Sequence, residues 1–303
     1  MELLRTDGKW YKGNLHAHTT ISDGARSPEE VKSLYREMGY DFIALTDHRI
    51  ESPLCMEQDF LVLPGAEWDM GSMEEGNVCH IIGVGMERPT RDLYHTKEGV
   101  FKKPRPQEMI DAVNEAGGLA ILAHPHWSLM DPEDIKNMHG IIGSEIYNSV
   151  SASPLNPDRA DSSVYFDLWA KHGRLIPSMA ADDSHGYHGE EGRSFIMVNA
   201  GMLTRDAVMA ALREGSFYAS QGPEFERVWL ENGCFQVKCS ADVKEVIFKS
   251  KCTWRENAVQ SPVNGFASCR ILPPDSYLRA ELVTEDGRKA WCGPYAIPDE
   301  YRA

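Results

Sequence analysis

His16 and His18 are separated by a single residue, and side chains two apart on a strand point the same way, so both imidazoles can reach one ion. Alone, that pair would say little. Its weight comes from the rest of the chain: Asp23, His48 closing DFIALTDH, Glu67 near the end of FLVLPGAEW, His80 within VCHIIGVG, His124 in GLAILAHP, and Asp183 and His185 closing GRLIPSMAADDSH. Six of the 11 histidines and three carboxylates form a nitrogen and oxygen donor set suited to zinc, manganese or iron. The other histidines, His95, His126, His139, His172 and His188, read as ordinary core or surface residues. Of these, His126 and His188 fall close enough to the set to be candidates for substrate contact.

Nearly all these positions fall at or just past the carboxyl end of a short apolar run. From Trp10 to about Leu212 such runs alternate with amphipathic stretches, as strands and helices do around a mostly parallel sheet or barrel. GNLHAH, IIGSEIYN and SFIMVNA complete the strands, and PEEVKSLYREMG, PQEMIDAVNEAGG, VYFDLWAKHG and TRDAVMAALREGS read as helices. Ser27-Pro28-Glu29-Glu30 is a helix start, with a capping serine, proline in the first turn and acids facing the positive end of the dipole. In a parallel barrel the carboxyl ends converge on one mouth, which makes neighbours of residues far apart in sequence.

The pattern changes after Ser220-Gln221-Gly222-Pro223. Segments such as FERVWLENG, FQVKCSA, KEVIFKS and YLRAELVTEDGRKAW alternate without a helix, which predicts a small antiparallel β-sandwich-like appendix over 221–303 behind a main unit over 1–220. Glu285-Asp286-Gly287 is its clearest hairpin turn. Residues 86–105, rich in charge and proline, read as a long loop, either solvated or serving a site as a lid.

A formal charge of −15 argues against a broad basic surface for long nucleic acid, without excluding short oligonucleotides. Bound divalent ions would still make one spot positive, so a small anionic substrate fits the composition. The start MELLRTDGKWY does not read as a secretory signal, and no run is long enough to span a membrane, so the expected location is the cytoplasm. Seven cysteines without a C-x-x-C pair read as reduced packing thiols.

Taken together, GNLHAHTTISDG, GYDFIALTDH, PGAEW, AHP and DDSH resemble the PHP family, named for polymerase and histidinol phosphatase domains, over roughly residues 10–220. The resemblance implies an α/β fold of the distorted (β/α)7 TIM-like barrel type with a dinuclear or trinuclear metal centre. It assigns His16, His18, Glu67 and Asp183 to one ion, Asp23, His48 and His185 to a second, and Glu67, His80 and His124 to a third. Asp183 is preferred to its neighbour Asp182 because D-x-H spacing sets two ligands on one face, and Asp47 is expected to orient an imidazole. The closing segment looks like the β appendix of some members, including a carbaryl-hydrolase-like branch.

Two metals about 3.5–4 Å apart can bring a bridging water's pKa towards 7 and present it as hydroxide. The expected reaction is therefore metal-dependent hydrolysis of a small phosphate ester, with Asp23, His48, Glu67, His185 and Arg193 acting in it directly. Arg193, Asn148 and the 86–105 loop are the candidate donors to the charge that develops. The same hydroxide could open a carboxylic ester, carbamate or amide. A non-catalytic, metal-stabilised binding module is a third reading, disfavoured because structural sites are closed four-coordinate cages.

Overall fold

The computed structural model describes residues 1–57, 59–70 and 78–302. The chain runs β1 (Lys9–Asn14), α1 (Pro28–Glu37), β2 (Phe42–Ala44), β3 (Cys55–Glu57), β4 (Phe60–Leu63), β5 (Gly65–Met70), β6 (Cys79–Val84), α2 (Pro106–Glu115), β7 (Leu119–Leu122), β8 (Ile141–Asn148), α3 (Ser163–Lys171), β9 (Ser178–Ala181), β10 (Phe195–Ala200), α4 (Arg205–Arg213) and β11 (Phe217–Ser220). It continues with β12 (Phe225–Glu231), β13 (Cys234–Cys239), β14 (Val243–Lys249), β15 (Val259–Gln260), β16 (Phe266–Arg270), β17 (Tyr277–Thr284) and β18 (Lys289–Ala296).

Local chemistry sets the helix boundaries. At α1, Ser27 accepts from the Glu30 backbone while the Glu30 carboxylate accepts from the Ser27 backbone, and Pro28 occupies the first turn. The buried face of α1, through Val31 and Tyr35, joins Ile43, Phe60 and Val62 in one core cluster. At α4 Thr204 caps through its hydroxyl alone, which accepts from the Ala207 N–H.

The strands form three sheets, and among the described residues hydrogen bonding closes no single barrel. One sheet has the order β5-β6-β7-β8-β9, and another contains β10-β1-β2-β4-β3. Two isolated parallel bridges join these halves, Ala17 with Ser184 and His48 with Glu67, both beside residues of the expected metal set. The expected mostly parallel order has exceptions: β10 is antiparallel to β1, β3 to β4, and β6 to both β5 and β7. The amino end of β6 therefore lies beside the carboxyl end of β7, where the His80 carbonyl accepts from the Ala123 N–H.

Beyond residue 220 the chain is all β apart from a short turn of helix at Asp299–Tyr301. β11 pairs with β18, so β18, β17, β14 and β15 extend the sheet that holds β1 and β10, while β12, β13 and β16 form a separate sheet. Both contribute to one core that includes Val228, Phe235, Val237, Val246, Phe248, Leu278 and Leu282. The Glu285-Asp286-Gly287 turn joins β17 to β18, with Gly287 in the left-handed region at φ 85°. β3, β11, β15 and β16 are too short or irregular to show in the residue pattern.

No helix is long and apolar enough to cross a membrane among the described residues. All seven cysteines are free.

Candidate metal centre

The end of β1 delivers His16 and His18, both fully buried. A tight turn then folds back so that Asp23 returns to them. Gly24 makes that turn practicable, because a Cβ there would sit 2.4 Å from the His18 carbonyl oxygen. Asp47 braces the same turn, accepting from Thr19 through N–H and hydroxyl and from Ser22 through N–H and hydroxyl. Its partners are thus the turn that carries Asp23, not an imidazole.

The nine residues assemble as three overlapping groups whose donor atoms lie within 4.8 Å of one another: His16, His18, Glu67 and Asp183; His18, Asp23, His48 and His185; and Glu67, His80 and His124. Glu67 is the shared member at the centre. Its Oε1 lies 3.3 Å from His16 Nε2, 2.9 Å from His80 Nδ1 and 3.3 Å from His124 Nε2, and its Oε2 lies 3.3 Å from His18 Nε2 and 3.2 Å from His48 Nδ1. His18 is shared as well, with Nε2 3.2 Å from Asp183 and Nδ1 3.4 Å from Asp23, whereas the sequence motifs give it to one ion only.

Burial grades across the cluster. The side chains of His16 and His18 are wholly inaccessible, those of His48 and His185 are 25% and 30% exposed, and that of Asp23 is 53% exposed. The Asp23 group is the open side. Two proposed ligands hold left-handed backbone, His124 at φ 24° and Asp183 at φ 54°, a conformation that side-chain-bearing residues keep only when their surroundings enforce it.

Electrostatics without metal describe charges seeking partners. Burial opposes a charge on His16, yet Asp183, Glu67 and Glu145 outweigh it and hold the imidazole well above its ordinary range. His18 is raised likewise against burial by Asp183, Asp23 and Glu67. Hydrogen bonds from His18 and His185 hold Asp23 far below the usual carboxylate range. His48 is the exception, pushed down chiefly by burial.

Two groups that the sequence motifs do not include support the cluster. Glu145, on β8 and 1% exposed, accepts from His16 Nδ1 at 2.8 Å through Oε1, and through Oε2 from the His124 N–H at 2.9 Å and the Asn148 side chain at 2.8 Å. Glu190 gathers the N–H groups of His185, Tyr187 and His188. The IIGSEIYN run shows only a buried strand in sequence, and the carboxylate inside it is the one signal that points to Glu145.

Asn148 is itself occupied, donating to Glu145 and, at 3.1 Å, to Asp183, so it orients a ligand. Asp182 faces elsewhere, accepting from Tyr35, Ser149 and the N–H groups of Gly192, Arg193 and Ser194. Arg193 is exposed on that loop. His126 donates from Nδ1 to the Asp161 carbonyl, and His188, exposed, lies against Gly186. The basic residues of 86–105 are drawn towards α2: Arg88 and Arg91 bind Glu115, and Lys102 binds Glu108.

No family model matches the chain. An uncharacterized protein of Methanocaldococcus jannaschii is 28% identical over 131 residues, covering 38% of this chain and 68% of that one. A two-domain protein from Bacteroides vulgatus, containing a predicted PHP-like metal-dependent phosphoesterase, superposes with a TM-score of 0.50 at 14% identity, covering 98% of this chain and 90% of that one. The fold is PHP-like. Because that similarity spans nearly the whole chain, it includes the β strands beyond residue 220 as well as the strands that bear the cluster. A lesion-specific endonuclease from Pyrococcus furiosus superposes with a TM-score of 0.45 at 15% identity, covering 82% of this chain and 64% of that one.

The residues present fit divalent metal. His48 Nδ1 and Asp183 Oδ1 are buried without a hydrogen-bond partner, at the positions where coordination would satisfy them. The donors are imidazoles and carboxylates, and several of the imidazoles are oriented by groups behind them.

Proposed function

We propose that the chain is a metal-dependent phosphoesterase of the PHP family that hydrolyses a small phosphate ester. One observation carries the reading: three groups of ligands, fused through Glu67 and His18, with one side open to solvent at Asp23. Structural metal sites are closed, whereas ligand groups that share a buried carboxylate and open at one rim suit a reaction between neighbouring ions.

The nine residues His16, His18, Asp23, His48, Glu67, His80, His124, Asp183 and His185 would hold two or three ions, of zinc, manganese or iron. Bound there, the ions would supply Lewis acidity to the phosphoryl oxygens and acidify water. The protein's own part is positional. Glu67 and Asp183 fix the spacing of the groups from the buried side, and Asp23, His48 and His185 face the side from which an anionic substrate approaches. Arg193, exposed on the loop that follows His185, is the proposed cation for the phosphoryl group.

Residues 1–220 would then be the catalytic unit, with its strands forming the family's distorted barrel, and 221–303 the β appendix. The two bridges at Ala17–Ser184 and His48–Glu67 support the first part.

A panel of p-nitrophenyl phosphates and p-nitrophenyl carboxylic esters, assayed with added manganese or zinc, tests the assignment. Phosphate turnover that disappears in His16→Ala and Asp183→Ala is the expected result. Turnover of the carboxylic esters alone would reassign the cluster to ester, carbamate or amide hydrolysis.

A further inference from the structure

Beside the cluster lies a groove of about 940 Å3 whose walls come from residues 49–54 and 86–94, with Pro64, Trp68 and Arg205 completing it. It begins at Arg49, which joins it to the metal ligands in three ways. Arg49 follows His48, and its N–H donates to the Glu67 carbonyl at 2.8 Å. Its guanidinium binds Asp69, whose Oδ2 is 3.7 Å from His48 Nδ1. Asp69 stands two residues beyond Glu67 on β5, hence on the face that bears the cluster.

Arg49 is held with care. Its backbone is left-handed at φ 62°, and its guanidinium lies 4.6 Å from the centre of the Tyr94 ring. The Tyr94 hydroxyl donates to the Asp69 carbonyl at 2.9 Å and accepts from the Asp69 N–H at 3.1 Å, which fixes the ring to the backbone of the residue whose carboxylate holds Arg49. Beyond this junction the groove exposes carbon: Leu54 is 52% and Ile50 46% exposed, flanked by Pro53 and Pro89. Of its other arginines, Arg91 pairs with Glu115, Arg205 pairs with Glu87 and Arg88 donates to the Glu115 carbonyl, while Glu51, Glu87 and Asp92 on the same walls disfavour an anion at the far end.

We propose that this groove receives the leaving group of the substrate, and that this leaving group is a bulky, uncharged, aromatic or aliphatic alcohol. The inference rests on the phosphoesterase reading. The ester's phosphoryl end would lie at the cluster, Arg49 would stand where phosphate meets alcohol, and the apolar wall at Leu54 would set the size and polarity of what is accepted.

Phenyl phosphate and 2-naphthyl phosphate have leaving groups of similar acidity and different size, so they separate binding from chemistry. Metal-loaded wild-type protein should show a kcat/KM roughly tenfold higher for the naphthyl ester, and Leu54→Trp should lower that preference by roughly tenfold, the scale of discrimination that an apolar pocket provides. Equal treatment of both esters by the wild type, or an equal effect of Leu54→Trp on both, would overturn the proposal. If neither ester is turned over, the phosphoesterase reading fails, and the groove is judged by fluorescence titration with 2-naphthyl phosphate. Binding roughly tenfold weaker in Leu54→Trp supports the groove, and unchanged binding rejects it. Leu54 is exposed, and circular dichroism verifies that the variant is folded.

Discussion

Glu145 accepts a hydrogen bond from Nδ1 of His16 at 2.8 Å, with both side chains shut off from water. A carboxylate at Nδ1 keeps that nitrogen protonated and leaves Nε2, which faces Glu67 and Asp183, as the nitrogen with a lone pair for metal. Because the same carboxylate also holds the His124 backbone and, through Asn148, Asp183, it ties together two of the three ligand groups.

Glu145→Gln should therefore weaken metal binding by about 10–100-fold while the nine ligands stay in place. Competition against a chromogenic chelator measures this directly. Unchanged affinity would show that Glu145 is only a core residue.

The metal-free protein should lose stability as pH rises. His16 and His18 are held above the ordinary histidine value of 6.5, so their contribution is complete below that pH and is lost as pH climbs through their folded values. Glu67 and Asp183 are held low against burial by the histidines, so their contribution is present above the ordinary carboxylate range and disappears only in acid. Metal requires the same histidines deprotonated and binds more tightly as pH rises. Calorimetry at about pH 6 and about pH 9 should thus find a gap in Tm between metal-loaded and chelator-treated protein that widens with pH. A gap that narrows would contradict the assignment of these histidines.

Arg279, fully buried on β17, donates to Asp167 of α3 at 2.7 and 2.8 Å and to Glu281 at 2.6 Å, linking the β strands beyond residue 220 to the helix layer. Arg279→Ala leaves the nearly inaccessible Glu281 with Lys249 as its remaining ionic partner at 3.0 Å. Urea unfolding should register a loss of about 3–5 kcal/mol. A loss below about 1 kcal/mol, the scale of an exposed pair, would mean that the network is solvated.

Much of this site is written in spacing. His16 with His18, and Asp183 with His185, declare themselves by their two-residue spacing, although the structure sets them just past the ends of β1 and β9, and Ser27-Pro28 with Glu30 announces α1 through capping alone. His80 enters the candidate ligand set through what the family resemblance implies, but the rule of carboxyl ends does not explain it, because strand direction is decided by sheet pairing that a single apolar run does not encode. Glu145 and Asp47 share a different difficulty: their roles consist of partners 129 and 25 to 28 residues away, visible only when the strands are assembled. Nor do the alternating elements say how the sheets meet: among the described residues they are joined at isolated bridges, and β6 runs antiparallel to β5 and β7.

Everything proposed for this protein requires that these nine side chains hold metal, and metal content is the most direct measure of it. Protein loaded with manganese or zinc, desalted and analysed by plasma mass spectrometry, should retain two or three ions per chain. His16→Ala and Asp183→Ala should retain fewer and lose phosphate-ester turnover with them. Wild-type protein that emerges folded and metal-free, or variants that keep the full complement of ions, would contradict it.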